Sequence, residues 1–426
     1  MFLTGLRCLH CGAEYPAADL PMGCERCRTP HFASALTCTY DYEAIRKATR
    51  VETLQARLGW LWRYAEFLPV DPVHRVTMRE GGTPLMPCPR LGATLGVRDL
   101  YLKDETRNPT WSFKDRLCSV AISKAREMGA PGIIASTTGN HGASTAAYAA
   151  RAGLPCIIVT RADAPLTVRV LMQSYGARVV AVPTDEDRWK VVGEWVARHG
   201  WFSTTNVSVP PVGSTPFGVE GYKTIAYEIM HQLDWETPDV VVVPVSAGDA
   251  LFGIWKGFTD LRRLGWIDDL PTMMAVEPFP AYAVVLERGA GTGTGEGGAL
   301  VTVPGRRTVA FNVGTRTPTY QGLLALRESR GRAVVVEDTE TMEAQLSLAS
   351  TEGLYVEASS AVALAGVRQL VASGAVAPEA TVVAVMTSSG LKDPEATAAR
   401  LPQVPLIEPT AAAMEAALAK AYGFRV

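Results

Sequence analysis

The run Ser112-Phe113-Lys114-Asp115-Arg116 follows the turn-forming Asn108-Pro109-Thr110 and precedes a stretch, 117–128, whose apolar spacing reads as an amphipathic helix. Lys114 would then lie at a helix N-terminus, where unpaired amides and the positive end of the dipole disfavour a second cation. Its ammonium should lose a proton more readily than in water, which suits a Schiff-base nucleophile. The alternative is a solvated first-turn lysine behind a Ser112 N-cap. Ser136-Thr137-Thr138-Gly139-Asn140-His141-Gly142 is a small, hydroxyl-bearing turn at another helix start. Its backbone N–H groups could hold a substrate carboxylate, or it is simply a well-capped helix. Val245-Ser246-Ala247-Gly248-Asp249-Ala250 repeats that arrangement at a size suited to a phosphate ester. Thr387, after the apolar run 380–386, adds a hydroxyl at a strand's carboxyl end, where ligands of α/β sheets collect.

The elements that must position these groups alternate. Short apolar runs at 132–135, 155–159 and 178–182 are interleaved with helical stretches at 142–152 and 166–175, and further runs follow at 240–244, 272–276 and 380–386. The alternation predicts an α/β protein with parallel sheets covered by helices, in two doubly wound lobes. Residues 41–70 carry helical periodicity, with Trp60, Leu61, Tyr64 and Phe67 on one side, and 411–421 reads as an alanine-rich helix. Gly291-Thr292-Gly293-Thr294-Gly295 neither follows a strand nor opens a helix, so it is expected to be a mobile surface loop and not a dinucleotide site. One lysine, two anion cradles and a hydroxyl would all be used by an aldehyde-bearing phosphorylated cofactor, and pyridoxal phosphate has that chemistry.

A net charge of -2 over 426 residues gives no electrostatic reason to expect nucleic acid or an anionic membrane as partner. No stretch approaches the roughly 20 apolar residues that span a bilayer, and the first residues lack the order of a signal peptide, so a cytoplasmic protein is expected. Four of the eight cysteines are clustered as Cys8-x-x-Cys11 and Cys24-x-x-Cys27. Two such knuckles can close a tetrahedral thiolate shell around a structural Zn2+, though a ribbon that has lost its metal has the same spacing. Cys38, Cys88, Cys118 and Cys156 sit among apolar residues and read as packing groups.

The runs 101–116, Thr138-Gly139-Asn140, 220–226, 248–257, 352–361 and 387–393 resemble, in order and over nearly the whole chain, threonine synthase and its fold-type II relatives. The N-terminal cysteine ribbon resembles that of some members. The resemblance implies that Lys114 forms the internal aldimine, that Asn140 bonds the ring hydroxyl, that Ser246, Ala247, Gly248, Asp249 and Ala250 cradle the phosphate, and that Thr387 meets the ring nitrogen. It also implies that Thr137, Thr138, Gly139 and His141 face a small amino-acid substrate, and that the enzyme is a homodimer. The expected organisation is a ribbon over 1–40, a helical linker over 41–78, a large cofactor-binding lobe from 79–115 and 216–400, a small lobe over 116–215, and a C-terminal helix within 401–426.

Two departures bear on substrate. The family usually carries an arginine two residues before Glu220-Gly221, gripping a substrate phosphate, and Gly218 stands there. After the cofactor asparagine it usually has threonine, where this chain has His141, as in serine/threonine dehydratases and diaminopropionate ammonia-lyases; a helix-capping ring is the plainer reading. Together they imply β-elimination of the ammonia-lyase or dehydratase type, or replacement, on a small amino acid, ahead of threonine synthase acting on O-phosphohomoserine. On that view Gly218→Arg would improve binding of the phosphorylated substrate. A catalytically silent relative would be expected to lose Lys114 or Asn140, and both are present. A zinc hydrolase is disfavoured because a four-cysteine shell is closed to water.

Overall fold

The computed structural model describes residues 1–289 and 300–425, and the 291–295 glycine run lies outside them. The strands in chain order are β1 (Leu3–Cys8), β2 (Glu14–Tyr15), β3 (Leu36–Tyr40), β4 (Leu85–Pro87), β5 (Asp99–Asp104), β6 (Ile133–Ser136), β7 (Cys156–Arg161), β8 (Arg178–Val182), β9 (Phe202–Ser203), β10 (Val240–Pro244), β11 (Thr272–Glu277), β12 (Arg332–Val335) and β13 (Thr381–Met386). They form three sheets. Strands β2-β1-β3 make a small antiparallel ribbon. A larger sheet runs β12-β11-β10-β13-β5-β4, parallel except for the antiparallel edge strand β4, and a second parallel sheet runs β8-β7-β6-β9. The valine-rich β10 and β13 are central and buried on both faces, which is why they read as unbroken apolar runs.

Two expectations about helices need correction. The stretch 117–128 belongs to a helix, Lys114–Glu127, but every residue from Asp115 to Ala125 is buried. It is sandwiched between the helix Asn140–Ala152 and the short helix Pro216–Val219, so no face is left for solvent. The periodicity over 41–70 is broken into helices Tyr42–Ala48 and Val51–Ala56 and a 3-10 segment Leu61–Phe67. Extended backbone at Thr49, Arg50 and Arg57 makes the breaks, while Tyr64 and Phe67 still pack on Tyr227. The C-terminal helix Ala411–Tyr422 has no buried residue. No described helix is long and apolar enough to cross a membrane.

Four charged side chains pin the lysine helix. Arg116 donates through Nε to Glu105 (2.7 Å) and through Nη1 to Glu228 (2.7 Å), and Lys103 reaches Glu228 at 2.8 Å, all with side chains at most 4% exposed. Thr83 donates to Glu105 (2.6 Å), and the Gly82 and Thr83 amides donate to Glu228. Burial works against ionisation of Glu228, but Arg116 and Lys103 outweigh it and its pKa falls. Removing one partner leaves an uncompensated buried charge. Arg116→Met is therefore expected to lower unfolding free energy by about 3–5 kcal/mol in denaturant titrations, whereas Arg368→Met, whose partner Glu343 is exposed, should change it by less than about 1 kcal/mol.

Candidate functional site

A cavity of about 820 Å³ opens between the two parallel sheets, with Lys114 on its wall. The lysine turn is stitched to the end of β13. Phe113 N–H donates to the Thr387 carbonyl (2.9 Å), and the Trp111 carbonyl accepts from Ser389 N–H (3.0 Å) and Ser388 Oγ (3.1 Å). Behind it, Asp115 accepts from Thr110 N–H (2.6 Å), Thr110 Oγ1 (2.5 Å) and Ser144 Oγ (2.6 Å), which closes the turn before the helix. Lys114 Nζ sits 4.6 Å from the Phe113 ring centroid, and that ring stacks on Tyr222. Burial lowers the pKa of Lys114, and the carboxylates of Asp249 and Glu357 oppose this only in part.

Asn140 opens the helix Asn140–Ala152 and lines the same cavity. Its Nδ2 donates to both oxygens of Glu357 (2.9 and 3.0 Å), while its Oδ1 is buried without a partner among the described residues. Glu357, whose pKa burial raises, also accepts from Asn312 Nδ2 (3.2 and 3.1 Å). Thr137, Thr138 and His141 are on the cavity wall. Gly139 is not: it is buried under Asn312, whose Oδ1 would lie 2.0 Å from a Cβ there. Gly139 therefore provides room for Asn312 to reach Glu357. Burial and the nearby Lys114 hold the His141 imidazole well below its ordinary pKa, hence neutral, and its Nε2 has no partner among the described residues.

Opposite them, Ser246, Ala247, Gly248, Asp249 and Ala250 line the cavity where β10 gives way to the helix Asp249–Arg263. Gly248 has φ 80°, and a Cβ there would lie 2.5 Å from Tyr282 Oη and 2.8 Å from Gly322 Cα, so only glycine fits. Ser246 Oγ shares a short hydrogen bond with Thr315 Oγ1. The Asp249 carboxylate is turned onto Ser214 (N–H 3.1 Å, Oγ 2.7 Å) and Gln321 Nε2 (2.5 Å). Thr387 Oγ1 shares a 2.7 Å hydrogen bond with Ser360 Oγ.

Gly218 lies elsewhere. It is buried in Pro216–Val219 and absent from the cavity wall, and a Cβ there would come within 2.9 Å of Leu117 Cγ and 3.1 Å of Ala121 Cβ. An arginine at 218 would be driven into the lysine helix, so this residue is no measure of phosphate binding. Arginines Arg161, Arg188, Arg306, Arg307 and Arg316 line the cavity instead, beside Asp163, Asp185 and Glu186. Of the residues that sequence reasoning missed, Glu357 had a signal, an acid just before an alanine-rich helix. Asn312 lies in the three-residue 3-10 turn Phe311–Val313, and Thr315 and the arginines at 306, 307 and 316 lie in irregular chain, with no periodicity to mark any of them.

In the ribbon, the candidate ligand atoms of Cys8, Cys11, Cys24 and Cys27 all lie within 4.8 Å of one another. The sulfurs of Cys8 and Cys27 are 3.6 Å apart and those of Cys11 and Cys24 are 3.7 Å apart. A tetrahedron with sulfur about 2.3 Å from zinc has edges of about 3.8 Å, so the set fits the metal.

The profile of the family described as "Pyridoxal-phosphate dependent enzyme" matches residues 76–388. Threonine synthase of Methanocaldococcus jannaschii is 36% identical over 397 residues, covering 92% of this chain and 93% of that protein. Threonine synthase of Methanosarcina acetivorans is 34% identical, with 92% of each chain covered. Among solved structures, the processed form of threonine deaminase isoform 2 from Solanum lycopersicum superposes with TM-score 0.62 at 22% identity, over 77% of this chain and 84% of that one. Maize serine racemase does so with TM-score 0.60 at 22% identity, over 72% and 88%. These two likenesses speak for the fold alone. With matches to curated relatives over 92% of the chain and a family profile spanning both parallel sheets, the chain belongs to the pyridoxal-phosphate dependent enzymes of fold type II, among the threonine synthase-like lyases.

Proposed function

We propose that the protein acts on a small amino acid carrying a phosphate ester, O-phosphohomoserine, and forms threonine. The observation that carries this reading is Arg188. It is only 6% exposed on the cavity wall, and beyond its 2.6 Å pair with Asp185 its Nε and Nη1 have no partner among the described residues. A buried guanidinium with two unpartnered donors is costly, and Arg188 stands on the wall with Arg161, Arg306, Arg307 and Arg316, a basic lining suited to an anion. Preference for an unphosphorylated substrate rested on Gly218, which the cavity does not include, and on His141, which it does.

The residues fit the cofactor, which when bound supplies an aldehyde for the substrate amine and an electron-withdrawing ring that acidifies Cα–H. Lys114 would anchor it, and as a neutral amine favoured by burial would accept the α-proton. The left-handed turn at Gly248 with Ser246 would receive the phosphate, and the buried, half-satisfied amide of Asn140 the ring hydroxyl. The Thr387–Ser360 hydroxyl pair would meet the ring nitrogen without holding it protonated, which favours elimination and replacement over transamination. Thr137 and Thr138 would hold the substrate carboxylate. Cys8, Cys11, Cys24 and Cys27 would hold a structural zinc. A second reading, amino-acid deamination, is favoured by His141, which lines the cavity with a neutral ring whose buried Nε2 has no partner among the described residues.

Borohydride treatment of the loaded protein should fix the cofactor on Lys114, and mass spectrometry finding it on Lys103 or Lys392 would overturn the assignment. Arg188→Gln should reduce kcat/KM for O-phosphohomoserine roughly tenfold to a hundredfold, the worth of one charged hydrogen bond of about 1.5–3 kcal/mol, and leave L-serine turnover nearly unchanged. Equal losses on both substrates would point to deamination. Gly218→Arg should lower stability by roughly 1–3 kcal/mol through overpacking and give no gain in O-phosphohomoserine KM.

A further inference from the structure

The candidate cofactor contacts all lie beyond residue 100, yet the ribbon packs against both segments that restrain Asp249. His10, between Cys8 and Cys11, has its Nδ1 3.2 Å from Cys27 Sγ, and its ring meets Tyr320 edge-on at 5.3 Å between centroids. Phe32 meets Tyr320 at 5.5 Å. The neighbours of Tyr320 in sequence reach the cradle directly: Thr319 Oγ1 donates to the Ala247 carbonyl (2.5 Å) and Gln321 Nε2 to Asp249 (2.5 Å). On the other side Arg28 donates to the Val209 carbonyl (3.4 Å) and Gly23 abuts Val212, two residues before Ser214, the second restraint on Asp249.

A carboxylate in the first turn of a phosphate-binding helix opposes the ligand by like charge. At Asp249 that opposition is muted only while its oxygens stay turned onto Ser214 and Gln321. We propose that the cysteine ribbon is a clamp on the anion cradle, with Tyr320 as the positioning residue, so that the seating of the ribbon sets the affinity for the cofactor's phosphate. This rests on the reading of 246–250 as the phosphate cradle.

The test compares pyridoxal phosphate with pyridoxal, which lacks only the phosphate, as titrants of the full-length protein followed by absorbance. Tyr320→Ala should weaken pyridoxal phosphate about tenfold or more and pyridoxal less than about twofold, since the loss is electrostatic and confined to the ester. Tyr320→Phe, which keeps both ring contacts, should match the parent. Asp249→Asn placed on Tyr320→Ala should recover most of the lost affinity, because it removes the charge that the clamp restrains. Parallel loss for both titrants with borohydride fixation on Lys114 intact would overturn the clamp and leave the proposed function standing. A parent protein that binds pyridoxal as tightly as pyridoxal phosphate would overturn the cradle reading, and the clamp with it.

Discussion

A guanidinium locked between two carboxylates out of reach of water is the constraint on which the rest of the molecule hangs. Alone, any of Arg116, Glu105, Glu228 or Lys103 would cost several kcal/mol to bury; together they balance to zero charge and satisfy one another directionally. Their backbones belong to β5 and the 3-10 turn Glu105–Arg107 that follows it, the lysine helix and the helix Lys223–Gln232, with Thr83 and its amide from the chain before β4. Only one arrangement of those segments satisfies them all. Arg116 and Lys114 are two residues apart, about 200° around the helix, so drawing Arg116 into the network turns Lys114 towards the opposite side, where the cavity is.

The acids on and behind the cavity wall are arranged asymmetrically. Asp115, Asp249 and Glu357 are each tied down by neutral donors: Thr110 and Ser144, Ser214 and Gln321, Asn140 and Asn312. No lysine or arginine is bound up in neutralising these three at salt-bridge distance among the described residues. Lys114 is thereby not tied up by these three acids, whereas Arg161, Arg188 and Arg316 on the same wall are paired with Asp163, Asp185 and Glu186.

Much of this was legible in the sequence, for identifiable reasons. Buried parallel strands read as unbroken apolar runs, so 240–244 was found to the residue and β13 nearly so. Lys114, Asn140, His141, Thr387 and the 246–250 turn, which the structure brings to one cavity, stood out as candidates because each sits where a strand or turn passes into the next element, and punctuation of that kind is local. What failed was whatever depends on packing. Arg332–Val335 is a short edge strand with an arginine at its start and gave little apolar signal. Gly218 was judged by its place in a motif, yet its neighbours are Leu117 and Ala121, distant in sequence. The lysine helix looked amphipathic because its charged residues imitate a wet face, and the sequence could not say that Arg116 and Lys124 have buried partners.

The stitching of the lysine turn to β13 also orders events during synthesis. That strand is the last of the larger sheet in the chain, yet it sits in the sheet's interior, between β10 and β5. Until it has emerged, β5 lacks its parallel neighbour, and the Phe113 amide lacks the Thr387 carbonyl that holds the turn. A nascent chain can complete its ribbon and its smaller sheet early, but the larger sheet must stay open, with two unpaired strand edges facing each other, almost to the end. Closure by a single late strand makes the site all-or-none, so a partly made chain exposes no competent lysine, and the interval before closure is the one in which the edges of β10 and β5 are open to the wrong partner.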